Sequence, residues 1–274
     1  MHNKGVSLIL ATGGSGLVGA AYSAGKPALG VGPGNVPAYV HKDYDVKGAA
    51  HDIILSKSFD NGMICASEQA AIVDKEIYDD FVEELKANDV YMVSPEEKAM
   101  LEELLFGAAA NSVNCAGARL NASIVGKPAR EIARLAGFEA PEGTRVLGAE
   151  IPDVGFDQPL SREKLSPVLA VVKAENAEDG IDKARVMVEI GGLGHTASVF
   201  TNDEAVALEF GEVVDACRII WNAPASHGAI GALYNDFVPS LTLGCGSFGR
   251  NSTTDNISAK NLLNIKLIGR RIYN

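Results

Sequence analysis

Apolar residues along this chain gather in short runs separated by glycine, proline and charged residues. Residues 6–11 (VSLILA) form one such run, partly β-branched and ended by glycines, which predicts a buried strand. After Gly13-Gly14-Ser15-Gly16 the composition turns helical from Leu17 to Tyr22, and Gly25-Lys26-Pro27 closes it. Residues 28–31 read as a second strand. Residues 36–40 extend after the turn Gly32-Pro33-Gly34-Asn35. Strand, glycine turn, helix, strand is half of an α/β nucleotide-binding unit.

The pattern continues in the same alternating way. Residues 45–56 predict a helix with Val46, Ala49, Ala50, Ile53 and Ile54 on one face. A strand follows at residues 69–73, then a helical region from Asp74 to about Lys86. Ser94 and Pro95 mark a further helix start as N-cap and first helical residue. Strands are predicted at 144–147, 168–172, 198–201 and 216–222, with helices at 177–190 and 203–214 between them. A last strand is expected at 262–270. The fold class is α/β, with a domain boundary near residues 41–50.

Composition narrows the function. The chain has 274 residues, 47% hydrophobic and 22% charged, so it can bury a core without disulfide staples. Its formal charge of -11 and the lack of any Lys/Arg-rich run argue against nucleic acid, whose phosphates need clustered cations. The N-terminal apolar run is shorter than the ~7–15 residues of a signal peptide, and no run reaches the ~18 of a membrane span. A cytoplasmic protein is expected, with no membrane partner. The first strand begins at residue 6 with no lead-in: either the domain starts there, or the chain joins a fold already in progress.

Candidate chemistry rests on few residues. Gly13-Gly14-Ser15-Gly16 stands between a strand and a helix, where backbone N–H groups can hold a pyrophosphate, though a glycine turn without ligand reads equally well. The four cysteines show no metal-ligand spacing, and none is a site by default. Cys65, in Asn61-Gly-Met-Ile-Cys-Ala-Ser-Glu68, lies in a loop of small residues that lets a substrate reach the sulfur. The alternative is a buried small hydrophobe. Cys115 and Cys217 read as structural. Cys245, among glycines, is open to either reading. His195, in a glycine turn, is by itself a local hydrogen-bonder.

Six motifs, in order, give these residues a family. They are Ile9-Leu-Ala-Thr-Gly-Gly-Ser-Gly16, Gly30-Val-Gly-Pro-Gly-Asn-Val-Pro37, Ser58-Phe-Asp-Asn-Gly-Met-Ile-Cys-Ala-Ser-Glu-Gln69, Glu163-Lys-Leu-Ser-Pro167, Gly194-His-Thr-Ala-Ser198 and Leu241-Thr-Leu-Gly-Cys-Gly-Ser-Phe-Gly249. Over nearly the whole chain they resemble the CoA-acylating aldehyde dehydrogenases, above all the aldehyde dehydrogenase part of the bifunctional aldehyde–alcohol dehydrogenases. The resemblance implies the remainder of a Rossmann-like cofactor domain at 1–45, an α/β thiol-bearing catalytic domain at 46–248, and a return segment with an oligomerisation strand at 249–274.

It also implies a reversible reaction: a short aldehyde, acetaldehyde in the nearest relatives, becomes acyl-CoA with NAD as hydride acceptor and coenzyme A as co-substrate. Cys65 matches the nucleophile that carries the thioester, and His195 a histidine of CoA chemistry or proton transfer. Thr12, Gly13, Gly14 and Gly32 match cofactor contacts, Glu163 the ribose ligand, and Leu165 and Leu243 the apolar walls of the nicotinamide. No metal is implied, and a homo-oligomer is. Acylating succinate-semialdehyde dehydrogenases are the near alternative in substrate.

Two departures matter. Hydrolytic relatives carry a glutamate that activates water where this chain has Val31, which favours transfer to CoA over release of a free acid. The family's segment before the strand at residues 6–11, with its oxyanion-hole asparagine, has no counterpart in these residues. Weak or no turnover by the chain alone is therefore expected, and a non-catalytic assembly module is the rival reading.

Overall fold

The computed structural model describes residues 1–108 and 118–273 and contains two parallel sheets. The smaller pairs β1 (Ile9–Thr12) with β2 (Ala28–Val31), joined by helix α1 (Ser15–Tyr22). Ile9, Ala11, Ala21, Ala24 and Ala28 form its modest core. The first strand starts three residues later than the apolar pattern predicts, because pairing begins at Ile9 opposite Ala28.

The larger sheet starts at once after the turn at residues 32–35. β3 (Val36–Val40), β4 (Glu68–Asp74), β5 (Val90–Met92), β6 (Val146–Glu150), β7 (Val168–Ala174), β8 (Ala197–Phe200) and β9 (Ile219–Trp221) lie in the order β5-β6-β7-β4-β3-β8-β9. Every pair is parallel. Between the strands run α2 (Val46–Ser58), α3 (Tyr78–Ala87), α4 (Pro95–Phe106), α5 (Ala129–Ala136), α6 (Ala177–Gly191) and α7 (Glu204–Val213), with α8 (Ala225–Ile230) after β9. β3 is already an interior strand of the large sheet, between β4 and β8.

Period-two alternation explains the layering. Ala71, Val73, Leu169 and Val171 point to one face, where Ala49, Ile53 and Ile54 of α2 and Phe81 and Leu85 of α3 cover them. Ala70, Ile72, Ala170 and Val172 point to the other, against Leu101 and Leu105 of α4, Ile132 of α5, and Ala184 and Met187 of α6. Helix starts follow their side chains: Asp45 accepts the Gly48 N–H, and Ser94 forms a reciprocal capping box with Glu97.

Two further expectations change. The helix expected from Asp74 begins at Tyr78, because Asp74 is still the last ladder residue of β4 and pairs with Ala174. The strand expected at 262–270 is absent: a short 3-10 turn at Ala259–Leu262 leads into residues 263–273, which carry no strand pairing. A strand needs a ladder, and among the described residues nothing offers one there, so Leu263, Ile265, Leu267 and Ile268 remain exposed. β5, α5 and α8 were not anticipated, each too short or too polar to signal itself. Cys115 lies outside the described residues. Among the described residues no helix is long and apolar enough to cross a membrane.

The turn between the sheets is tightly enclosed. A Cβ at Gly34 would sit 2.2 Å from the Cys65 carbonyl oxygen and 3.2 Å from the His195 ring. Gly34→Ala should cost about 2 kcal/mol or more, since backbone has to move to admit the methyl group. Urea unfolding checks this, with Gly14→Ala as the near-neutral control because its Cβ would meet nothing within 4 Å.

Candidate active site

Strand order assembles the site. Adjacent strands β7, β4, β3, β8 and β9 are entered from the same, amino-terminal edge of the sheet, so the residues just ahead of them become neighbours. Those residues are Glu163 and Leu165 before β7, Cys65 before β4, Gly34 before β3, His195 before β8, and Arg218 before β9. From the opposite side come the carboxyl ends of β1 and β2, carrying Thr12 and Gly32. The site therefore lies in the seam between the sheets. For the small sheet this is the usual ligand position outside carboxyl ends.

A cavity of about 310 Å³ fills this seam. Thr12, Gly13, Gly14, Gly32, Cys65, Glu163, Leu165 and Leu243 all line it, which brings together eight of the nine residues singled out from the sequence. The ninth, His195, is fully buried behind the sulfur: its Nε2 is 3.2 Å from Cys65 Sγ, and its Nδ1 is 3.0 Å from Thr196 Oγ1.

Local backbone aims these groups. Asp60, Asn61 and Gly62 all take positive φ, winding the chain tightly ahead of Cys65. Asn61 Nδ2 donates to the Gly126 carbonyl at 3.0 Å and holds that winding in place. Leu165, with φ of 43°, is strained for a side chain of its size, and the strain lets it reach the cavity wall. Beneath it the buried Lys164 Nζ donates to the carbonyls of Gln69, Leu160 and Arg162 at 3.0, 2.7 and 3.0 Å. Gln69 Oε1 accepts from the Lys164 N–H at 3.0 Å and from the buried Lys57 Nζ at 3.2 Å. Gly34 N–H donates to Glu163 Oε1 at 3.0 Å, fixing the carboxylate beside the turn.

Burial sets the charge states. It pushes the Cys65 thiol up to about 11, the nearby Glu163 adds to the rise, and backbone N–H groups and Arg218 oppose it. Burial, with the Arg218 cation behind it, drives the His195 imidazole down to about 3. Sulfur and imidazole are thus both neutral near pH 7, with a proton between them. Glu163 is raised to about 7, chiefly by burial, against the pull of the Gly34 N–H and of Lys57 and Lys164.

Several neighbours escaped the sequence reading. Met63, Ile64, Ile230 and Leu241 complete an apolar wall. A second cavity of about 710 Å³ shares Gly14, Pro33 and Glu163 with the first and adds Arg119, Arg162 and the start of α1. Arg218 had a visible signal, a cation inside the apolar run Cys217-Arg-Ile-Ile220. Arg119 had none. Cys245 is buried away from this cavity, packs with Val31 and Ile257, and is pushed up to about 12 by burial. Val31 is fully buried in that cluster and does not line the cavity.

Known proteins resemble this chain over most of its length. The family model described as "Aldehyde dehydrogenase family" matches residues 1–232. The "Aldehyde-alcohol dehydrogenase" of Streptococcus pneumoniae serotype 4 is 64% identical over 274 residues, covering 100% of this chain and 31% of the relative. The chain thus spans about a third of that curated relative. An acetylating aldehyde dehydrogenase from Geobacillus thermoglucosidasius, known from its crystal structure, superposes with a TM-score of 0.92 at 44% identity, over 100% of this chain and 59% of that one. A propionaldehyde dehydrogenase of Rhodopseudomonas palustris, solved with bound CoA and an acylated cysteine, gives 0.77 at 26% identity over 92% and 54% of the two chains.

The raised thiol predicts a definite pH response. Alkylation of Cys65 by iodoacetamide should climb about tenfold per pH unit from 7 to 9, without a plateau, because only the thiolate reacts. Peptide mapping by mass spectrometry checks it. A plateau below pH 8 would mean that the resting thiol is already ionised.

Proposed function

The chain belongs to the aldehyde dehydrogenase family, and from that premise we propose that Cys65 carries an acyl group between a short aldehyde and coenzyme A. The observation that carries this reading is the Cys65–His195 contact at 3.2 Å, with the sulfur on the wall of the seam cavity and the imidazole buried behind it.

The step sequence follows from the two neutral groups. As Cys65 Sγ attacks the carbonyl carbon, the C–S bond forms and the thiol proton passes through His195 Nε2 to the former carbonyl oxygen, giving a hemithioacetal. When hydride leaves the same carbon, His195 accepts the hydroxyl proton and gives it up to water, so that a thioester remains on Cys65 and the imidazole is neutral again before CoA arrives. CoA then attacks the thioester carbon. His195 relays the CoA thiol proton to the departing Cys65 sulfur, and acyl-CoA is released. A neutral imidazole suits every one of these transfers. In the cavity the backbone N–H groups beside Cys65 stabilise negative charge at the sulfur, consistent with their lowering effect on the thiol.

A nicotinamide cofactor, NAD in our reading, supplies the hydride acceptor. The residues fit it. A Cβ at Gly14 or Gly32 would project into open space, so these glycines leave room that a side chain would fill. Glu163 is held on the wall where a ribose hydroxyl can donate to it. Leu165 and Leu243 offer apolar contact for a ring, and Thr12 and Gly13 close the rim. The larger cavity, with Arg119, Arg162 and the start of α1, suits the phosphates of the cofactor or of CoA. We assign the β1–α1–β2 unit to the cofactor side and the large sheet to the thiol side.

The wall chemistry also bears on substrate. Met63, Ile64, Ile230, Leu241 and Leu243 are apolar, and no Lys, Arg or His is among the residues lining the cavity. An uncharged short aldehyde such as acetaldehyde suits this wall better than succinate semialdehyde, whose carboxylate would find no cation among the lining residues. Buried Val31 leaves water without a carboxylate base from that position, which favours discharge to CoA. Self-association through the exposed apolar side chains of residues 263–273 belongs to the same proposal.

The acyl-transfer half can be tested without the cofactor. p-Nitrophenyl acetate should acylate Cys65 in a burst, followed by slow hydrolysis. CoA should accelerate discharge by about 100-fold or more, with acetyl-CoA as product, and His195→Ala should remove most of that acceleration. Equal turnover with and without CoA, yielding free acetate, would point to a hydrolytic enzyme.

A further inference from the structure

Arg218 lies one strand beyond the histidine, and no role falls to it in the reaction as described so far. It is 3% exposed. β8 and β9 are paired in parallel, and the Ala197 N–H donates to the Arg218 carbonyl at 2.9 Å, which sets this residue beside the His195 turn. From there the side chain spreads across three segments. Nη1 donates to the His195 carbonyl at 3.0 Å. Nη2 donates to the carbonyls of Gly244, Thr254 and Asp255 at 2.8, 3.0 and 3.3 Å. Nε donates to Asn256 Oδ1 at 2.6 Å.

The partners are all neutral oxygens. Among the described residues no carboxylate forms an ion pair with Arg218, and the Asp255 carboxylate accepts instead from Asn261 Nδ2 at 2.7 Å. A buried cation satisfied only by dipoles keeps its field, and keeping it is costly. That field falls on Cys65, His195, Cys217 and Cys245, the titratable groups packed around it, and is partly met by the Asp255 carboxylate; Glu163 opposes it at Cys65. A plain staple between β8 and the return loop would not need a charge.

We propose that Arg218 is a positioning residue for the Cys65–His195 pair, holding the His195 main chain against the return loop at residues 244–256 and directing its cation at the sulfur. The inference rests on the reading of Cys65 as the reacting thiol. The physical sign is fixed: a nearby cation favours thiolate over thiol and disfavours imidazolium. Removing it therefore makes Cys65 harder to ionise and His195 easier to protonate. Lysine is only a partial replacement, because an ammonium cannot fork between the His195 carbonyl and the return loop as a guanidinium does.

The test is the pH dependence of Cys65 alkylation by iodoacetamide in the full chain, for the wild type, Arg218→Lys and Arg218→Met, with thermal melts to identify folded variants. Alkylation at fixed pH should slow roughly threefold in Arg218→Lys and about tenfold in Arg218→Met, with the whole profile displaced to higher pH. A folded variant of either kind whose profile coincides with the wild type, or moves to lower pH, overturns the proposal. Arg218→Lys alone decides if the methionine variant does not fold. Alkylation uses no aldehyde, cofactor or CoA, so it stands apart from the acyl-transfer assay: loss of CoA-dependent discharge in the wild type would refute the proposed reaction and leave this result readable.

Discussion

Everything at the site depends on how closely the turns entering neighbouring strands approach one another. At Gly34 the β3 turn passes so near the β4 turn that a single methyl group would overlap the Cys65 carbonyl oxygen. At Gly194, with φ of 75°, the β8 turn runs equally close to the return loop, and a Cβ would lie 1.9 Å from the Cys245 carbonyl oxygen. These approaches bring a sulfur and an imidazole separated by 130 positions to 3.2 Å. Widening either gap by a side chain would separate the pair before it altered the sheet.

The electrostatics follow from the same enclosure. Excluding water leaves Cys65 protonated and His195 unprotonated, so the resting pair holds one proton and no net charge. Buried Lys57 and Lys164 sit under the carboxylate of Glu163, while the guanidinium of Arg218 lies behind the histidine. A thiol kept neutral until a carbonyl is within reach is protected from other electrophiles. That protection comes with a dependence on His195 for every proton movement.

Much of this was legible in the sequence, and for an identifiable reason. Buried parallel strands write themselves as continuous apolar runs, so β2, β3, β4, β7 and β8 were located to within a residue or two. The motifs that flank Cys65, Glu163 and His195 stand immediately ahead of such runs, which placed them on strand entries. What the sequence does not contain is strand order. Only the arrangement β7-β4-β3-β8-β9 explains why those entries meet, and order is decided by helix packing on both faces of the sheet. The segment at 262–270 shows the converse: it has the apolar character of a strand, but among the described residues no ladder partner lies beside it. Arg119 was invisible for a similar reason, since nothing near it in sequence hints at the cavity it lines.

The central claim is that the Cys65 sulfur exchanges acyl groups with CoA, and reversal of that step tests it most directly. The protein is incubated with acetyl-CoA alone, quenched in acid and mapped by peptide mass spectrometry. The account predicts an acetyl thioester on Cys65, formed with release of one equivalent of free CoA and absent from Cys65→Ala. An unmodified Cys65, or acetylation at Cys217 or Cys245 in its place, would contradict it.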